Sequence, residues 1–150
     1  MALQLNSQAA STLPENALLN SRSLWHGTGA NDPMVVINHE FGLDARFGSG
    51  NGFYGQGVYL AESVRYCHGS PSTRQYVYNN RDGSYTVLRS TAVLGCCFDF
   101  GSTVTDETRA LKMPPKNTQC GNLLFDSVQG GPHMPHHAGR GDIDSKMFVV

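Results

Sequence analysis

An α+β domain built mainly from short strands is predicted by three observations. Apolar and polar residues alternate in short runs, most clearly over Val58-Tyr59-Leu60-Ala61, and the longest β-rich stretch runs from Tyr85 to Gly95. Only two stretches read as helical, Asp32 to Gly42 and Ser63 to His68. Clusters of Gly, Pro, Asn, Asp and Ser separate these runs at close intervals.

The 150 residues carry 11 Lys and Arg against 12 Asp and Glu, a formal net charge of −1, with 39% hydrophobic residues. That balance fits one compact domain with a real core and leaves no electrostatic footprint for duplex nucleic acid. No apolar run approaches the roughly 20 residues that span a bilayer. The first basic residue is Arg22, so the N-terminus lacks the basic region and long apolar stretch of a signal peptide, and a cytoplasmic or nuclear location is expected. Cys67, Cys96, Cys97 and Cys120, with one adjacent pair, read as reduced thiols rather than a disulfide framework.

Taken in order, residues 1–23 form a Ser-, Asn-, Gln- and Ala-rich lead-in with weak apolar patterning, and the domain proper is expected over 24–150. Leu24-Trp25-His26-Gly27-Thr28 reads as a strand ending at His26. Asp32 and Pro33 then supply an N-cap and a first helical position. Met34, Ile37 and Phe41 fall on one face at helical spacing, a stripe expected to pack into the core, and Gly42 ends it. A glycine-dense loop leads to the Val58–Ala61 strand, on which Val58 and Leu60 share one face and Tyr59 and Ala61 the other. Ser63 to His68 reads as a short helix or turn.

Asn79 to Ser84, with its Asp-Gly pair, signals a hairpin turn. Tyr85 to Gly95 is then expected as a central strand, Phe98 to Thr108 as a connection, and Asp144 to Val150 as a last strand. His133, His136 and His137 crowd a Gly/Pro loop, but neither a Cys-x-x-Cys pair nor a helical i, i+4 His pair accompanies them, so no metal is expected.

Gly50-Asn51-Gly52-Phe53-Tyr54-Gly55 matches G-x-G-x-x-G. A Rossmann site would need a helix beginning inside the motif, and a β-type pattern follows instead. A strand ending at His26 and followed at once by Gly27 has a different use. It sets an imidazole beside backbone that no side chain shields, where a flat ligand can approach. Alone, either His26 or Tyr59 would read as an ordinary sheet residue; the two glycine-spaced motifs together point to a site.

These two motifs, His26-Gly27-Thr28 and Tyr54-Gly55-Gln56-Gly57-Val58-Tyr59-Leu60-Ala61, resemble in order and separation those of the poly(ADP-ribose) polymerase catalytic domain. The resemblance implies an ADP-ribosyltransferase fold, with two small antiparallel sheets around an NAD cleft. It implies that Gly27 offers its N–H and C=O to the nicotinamide carboxamide, that His26 bonds the adenosine ribose, and that Tyr59 packs on the nicotinamide mononucleotide half. Thr28, Tyr54, Gly55 and Ala61 would lie beside them. Asp44 and Arg46 are candidates for contacts to the adenosine half, with a solvated loop pair as the alternative.

By the same resemblance Cys67 stands where the family commonly has a carboxamide-binding serine, and Tyr66 or Tyr76 would stack on the nicotinamide, Tyr76 being favoured. Ser127, in a segment resembling the family's Tyr-Asp-Ser-Val, would support the site. Met147 aligns with the glutamate of the polymerising members. The resemblance also implies a longer N-terminal portion and a further C-terminal strand in the family than this chain carries.

The implied activity is NAD-dependent transfer of ADP-ribose to a protein acceptor, with nicotinamide released. A glutamate at the third position assists an incoming sugar hydroxyl, and methionine cannot. Transfer of single units is therefore expected, with His26, Tyr59 and Met147 as the catalytic set. A degenerate NAD- or ADP-ribose-binding or protein-interaction module is the alternative, and a zinc-dependent structural protein a third.

Overall fold

The computed structural model describes residues 20–45, 52–69, 76–121, 123–131 and 145–150. Among the described residues the fold is α+β, with three short α-helices, one 3-10 turn at Thr118–Cys120 and a mixed six-stranded sheet. The strands of that sheet are β1 (Ser21–His26), β2 (Tyr59–Ala61), β5 (Leu88–Val93), β6 (Cys97–Asp99), β9 (Ser127–Gly130) and β10 (Met147–Val149). Their spatial order is β5-β1-β2-β10-β9-β6. Two further ladders stand apart, β3 (Tyr78–Asn79) with β4 (Tyr85–Thr86), and β7 (Lys116–Asn117) with β8 (Leu123–Leu124). One larger sheet and two hairpin ladders therefore stand where two small antiparallel sheets were expected, and the β6–β9 pair is parallel.

The pleat divides the core as the alternation predicts. Leu24, Val58, Leu60, Leu94 and Phe148 are buried together on one side. Ala61, Tyr66, Cys67, Val77, Val128, Met147 and Val149 pack on the other with Tyr54. β10 lies between β2 and β9, with Phe148 opposite Leu60 and Gln129, and its three residues are all buried. A strand with neighbours on both edges and cover on both faces needs an unbroken apolar run, which Met147-Phe148-Val149 supplies.

Four expectations are corrected. β1 begins at Ser21, because Ser21, Arg22 and Ser23 already pair with Val93, Ala92 and Thr91, so a boundary at 24 would cut the strand. The Tyr85–Gly95 run divides at Val87. Thr86 turns back to Tyr78 across the Asp82-Gly83 turn, and β5 lies at one end of the sheet order rather than at its centre. The stretch after Phe98 is not simply a connection. Cys97–Asp99 is β6, and Asp106–Arg109 forms helix α3, capped reciprocally by Thr105 and Thr108.

The fourth correction concerns α1 (Pro33–Asn38). Asp32 caps it as expected, its carboxylate accepting from the Met34 N–H at 2.8 Å. Its buried residues, however, are Pro33 and Val36, while Met34, Ile37 and Phe41 are 58%, 52% and 63% exposed. The helix ends at His39 in extended backbone, before the turn that would have carried Phe41 onto the stripe. One and a half turns bury a single i, i+3 pair, and here it is the neighbouring one.

Helix α2 (Val64–His68) forms as expected and buries Tyr66 and Cys67. No helix among the described residues is long and apolar enough to cross a membrane.

Candidate functional site

β1 and β2 share one ladder position, Trp25 opposite Ala61, and then part. The imidazole of His26 bridges the gap, its Nδ1 lying 2.7 Å from the Tyr59 carbonyl oxygen. A carbonyl only accepts, so Nδ1 carries the proton. Burial holds His26 below its ordinary pKa, against the opposing pull of that hydrogen bond. The ring is therefore neutral near pH 7 and keeps Nε2 as an acceptor, a form suited to a ligand hydroxyl.

A cavity of about 300 Å³ opens where the strands separate, at the lower end of the range for small-molecule sites. It is lined from both faces of the sheet. His26, Val58 and Leu60 contribute from one side, Trp25, Tyr59, Ala61, Cys67 and Met147 from the other, and Val36 of α1 also lines it. Its floor follows one cross-strand row, Trp25–Ala61–Met147. Ala61 is the small member of that row, so the depression forms over it.

Gly27 lies beneath Tyr76. A Cβ on Gly27 would sit 2.7 Å from the Tyr76 carbonyl carbon and 2.8 Å from its Cβ. The carbonyl of Tyr76 accepts from the Gly29 N–H at 2.6 Å, and the Tyr76 N–H donates to the Cys67 carbonyl at 2.9 Å. Glycine is thus required at 27 because another segment of backbone packs on it. Thr28 closes the adjoining turn, donating from Oγ1 to the Asn31 carbonyl at 2.7 Å. The rings of Tyr66 and Tyr76 stand 6.4 Å apart and 23° from parallel at the cleft wall.

Tyr59 has a structural duty that the sequence did not reveal. Its hydroxyl accepts from the Tyr54 N–H at 2.9 Å and donates to the Gly55 carbonyl at 2.8 Å. Burial pushes its pKa up to about 12, partly offset by the Tyr54 hydrogen bond and the charge of Arg109. With both hydroxyl roles engaged in the fold, Tyr59 presents its ring to the cleft and is no proton carrier. The Tyr54 phenol is raised further, chiefly by burial, and donates to the Gly101 carbonyl at 3.1 Å.

Of the residues expected at the site, His26, Gly27, Thr28, Asp44, Tyr59, Ala61, Cys67, Tyr76 and Met147 all line the cavity. Arg46 lies outside the described residues, as do His133, His136 and His137. Tyr54 and Gly55 are not among the lining residues. They support the wall from behind, the Tyr54 ring lying over Gly130 and Gly55 against Leu111. Ser127 is also outside the lining; it is fully buried and its hydroxyl donates to the Leu94 carbonyl at 2.7 Å. Ser127 lies on β9, which β10 separates from β2 and the cavity.

Sequence reasoning missed Trp25 and Phe53 as lining residues. Trp25 could have been found, as it alternates with His26 and shares the face of Gly27.

Among the described residues no group of three or more His, Cys, Asp or Glu side chains comes together. No protein-family model and no curated protein matches the chain.

Proposed function

We propose that the protein transfers single ADP-ribose units from NAD to a protein acceptor. The observation that carries the reading is the convergence on one cavity of both glycine-spaced motifs with Cys67, Tyr76 and Met147, residues spread over 122 positions from Trp25 to Met147. The aromatic wall of Tyr66 and Tyr76 suits a flat ring, and Gly27 lines the same cavity beside it. The acceptor lone pair on His26 Nε2 suits a ribose hydroxyl.

In the reaction the bond between the ribose anomeric carbon and the nicotinamide nitrogen breaks. The electron pair leaves with nicotinamide, which departs neutral, and the ribose passes through an oxocarbenium-like state. A nucleophilic atom of the acceptor bonds to the anomeric carbon and loses its proton to water or a neighbouring base. Because the leaving group begins as a cation, holding both ends of NAD supplies much of the rate. Met147 offers only a weakly accepting thioether, which fits single transfer and not chain elongation.

A second reading, a module that binds NAD or ADP-ribose without chemistry, is favoured by one feature. The only carboxylate among the described lining residues is Asp44. Titration with labelled NAD, with released nicotinamide followed in the same samples, separates the two. Release that His26→Ala abolishes is the expected result. NAD binding without release or transfer to any acceptor would sink the transferase and leave the binding module.

A further inference from the structure

Two linked phosphates bring negative charge into any cleft that holds NAD. Among the described residues lining this one, the only charged side chain is Asp44, itself an anion. A cation stands at the rim instead. Arg109, the last residue of α3, holds its guanidinium 4.7 Å from the centroid of Phe53, whose ring lines the cavity. Its charge acts at the Tyr59 hydroxyl, where burial dominates and Arg109 opposes it.

That position is built rather than incidental. The buried Thr108 donates from Oγ1 to the Phe53 carbonyl at 2.9 Å, while also closing the α3 cap with Thr105. Two residues beyond Arg109, the Leu111 carbonyl accepts from the Gln56 N–H at 3.0 Å. Leu111 packs so closely on Gly55 that a Cβ there would overlap its backbone. Helix α3 and the strand of chain after it therefore clasp the 53–57 loop, and Arg109 is carried with the cleft wall. Its side chain is exposed, and no carboxylate among the described residues forms an ion pair with it. A guanidinium lying over an aromatic ring keeps its in-plane N–H donors available.

We infer that Arg109, held over Phe53, receives the diphosphate of the dinucleotide at the rim of the cleft. The guanidinium fork donates two N–H groups to phosphate oxygens, and the ring beneath it limits the orientations the fork can take. This inference rests on the NAD reading of the same cavity and adds to it the cation that the lining residues lack.

Calorimetric titration of the full chain with NAD, ADP and nicotinamide, for wild type, Arg109→Gln and Arg109→Lys, tests it. The expected result is a loss of about tenfold or more in affinity for NAD and ADP in Arg109→Gln, as for a lost charge-assisted hydrogen bond. Nicotinamide affinity stays unchanged, and Arg109→Lys falls between the two. Thermal melting of each variant confirms the fold. Wild-type binding of NAD that Arg109→Gln leaves intact overturns the inference while the NAD reading stands. Binding of ADP that depends on Arg109, with no affinity for NAD or nicotinamide, sustains the anion subsite and overturns the NAD reading. Equal loss for nicotinamide and ADP in Arg109→Gln also overturns the inference, because it marks general damage to the wall.

Discussion

Replacing Tyr59 by phenylalanine separates the ring of this residue from its hydroxyl. The ring lines the cleft, whereas the hydroxyl ties the 54–57 turn to β2 through the Tyr54 N–H at 2.9 Å and the Gly55 carbonyl at 2.8 Å. Each intramolecular hydrogen bond contributes a net ~0.5–1.5 kcal/mol, so losing two costs about 1–3 kcal/mol. For a chain of this length that lowers the melting temperature by roughly 2–12 °C. Chemistry should suffer far less: at a temperature where the variant is folded, nicotinamide release per folded molecule stays near the wild-type value, because the hydroxyl faces backbone and not ligand.

The pH dependence supplies a second readout. Tyr59 is pushed up to about 12, above the ordinary tyrosine value near 10. The unfolded chain therefore releases this proton first, and stability falls as pH rises from about 10 toward 12. Tyr59→Phe lacks this component of alkaline unfolding. Thermal melts across pH 7 to 11 measure both effects. A variant that melts with the wild type yet loses activity would refute the clamp and return Tyr59 to a chemical role.

Three further outcomes follow from the same geometry. Gly27→Ala forces a methyl group against the Tyr76 backbone, which hydrogen bonds to Gly29 and Cys67 hold in place; a destabilisation of about 1–3 kcal/mol with weakened nicotinamide binding is expected in urea titrations. Because His26 is held below its ordinary value of about 6.5, the unfolded chain takes up that proton first as pH falls. Stability is then complete above about 6.5 and declines below it, and ligand affinity drops once the folded ring is protonated; His26→Asn should remove the stability trend in melts at pH 5 to 8. Met147→Glu places a carboxyl group at a buried, β-paired position, so its folded pKa rises and the variant loses about 1–4 kcal/mol relative to wild type as pH climbs past about 4.3, seen as a Tm gap that widens from pH 4 to 7.

What was legible in the sequence is what neighbouring residues decide. Period-2 alternation gave the two faces of β2 correctly, Asp32-Pro33 gave the start of α1, and Asp82-Gly83 gave the β3–β4 turn. Helical spacing alone could not say which edge of a six-residue helix would meet the sheet, and the choice of Met34, Ile37 and Phe41 missed by one position. The long β-rich run concealed a break at Val87, because its first residues belong to a hairpin and its last to the sheet. Hydroxyl partners were beyond reach. Tyr59 was legible as an aromatic of the β2 strand that lines the cavity, but the donors and acceptors that occupy its hydroxyl belong to main chain, which carries no sequence signature.

The same limit explains why the clasp by α3 was missed and why it matters. Thr108 reaches Phe53 across 55 positions, and Gln56 meets Leu111 across as many. Neither contact has a local pattern behind it beyond the Thr105–Thr108 cap. Each attaches to a residue of the 53–57 loop, the segment Tyr59 grips from the other side. A loop with three glycines between Gly52 and Gly57 would otherwise carry a high conformational entropy. Held by a hydroxyl on one flank and by backbone and threonine on the other, it keeps Phe53 at the cavity wall. Glycine is needed there for close approach, since side chains at 52 and 55 would overlap the Tyr59 phenol and Leu111. The glycine spacing that resembles a phosphate-binding loop thus arises from packing against two distant segments.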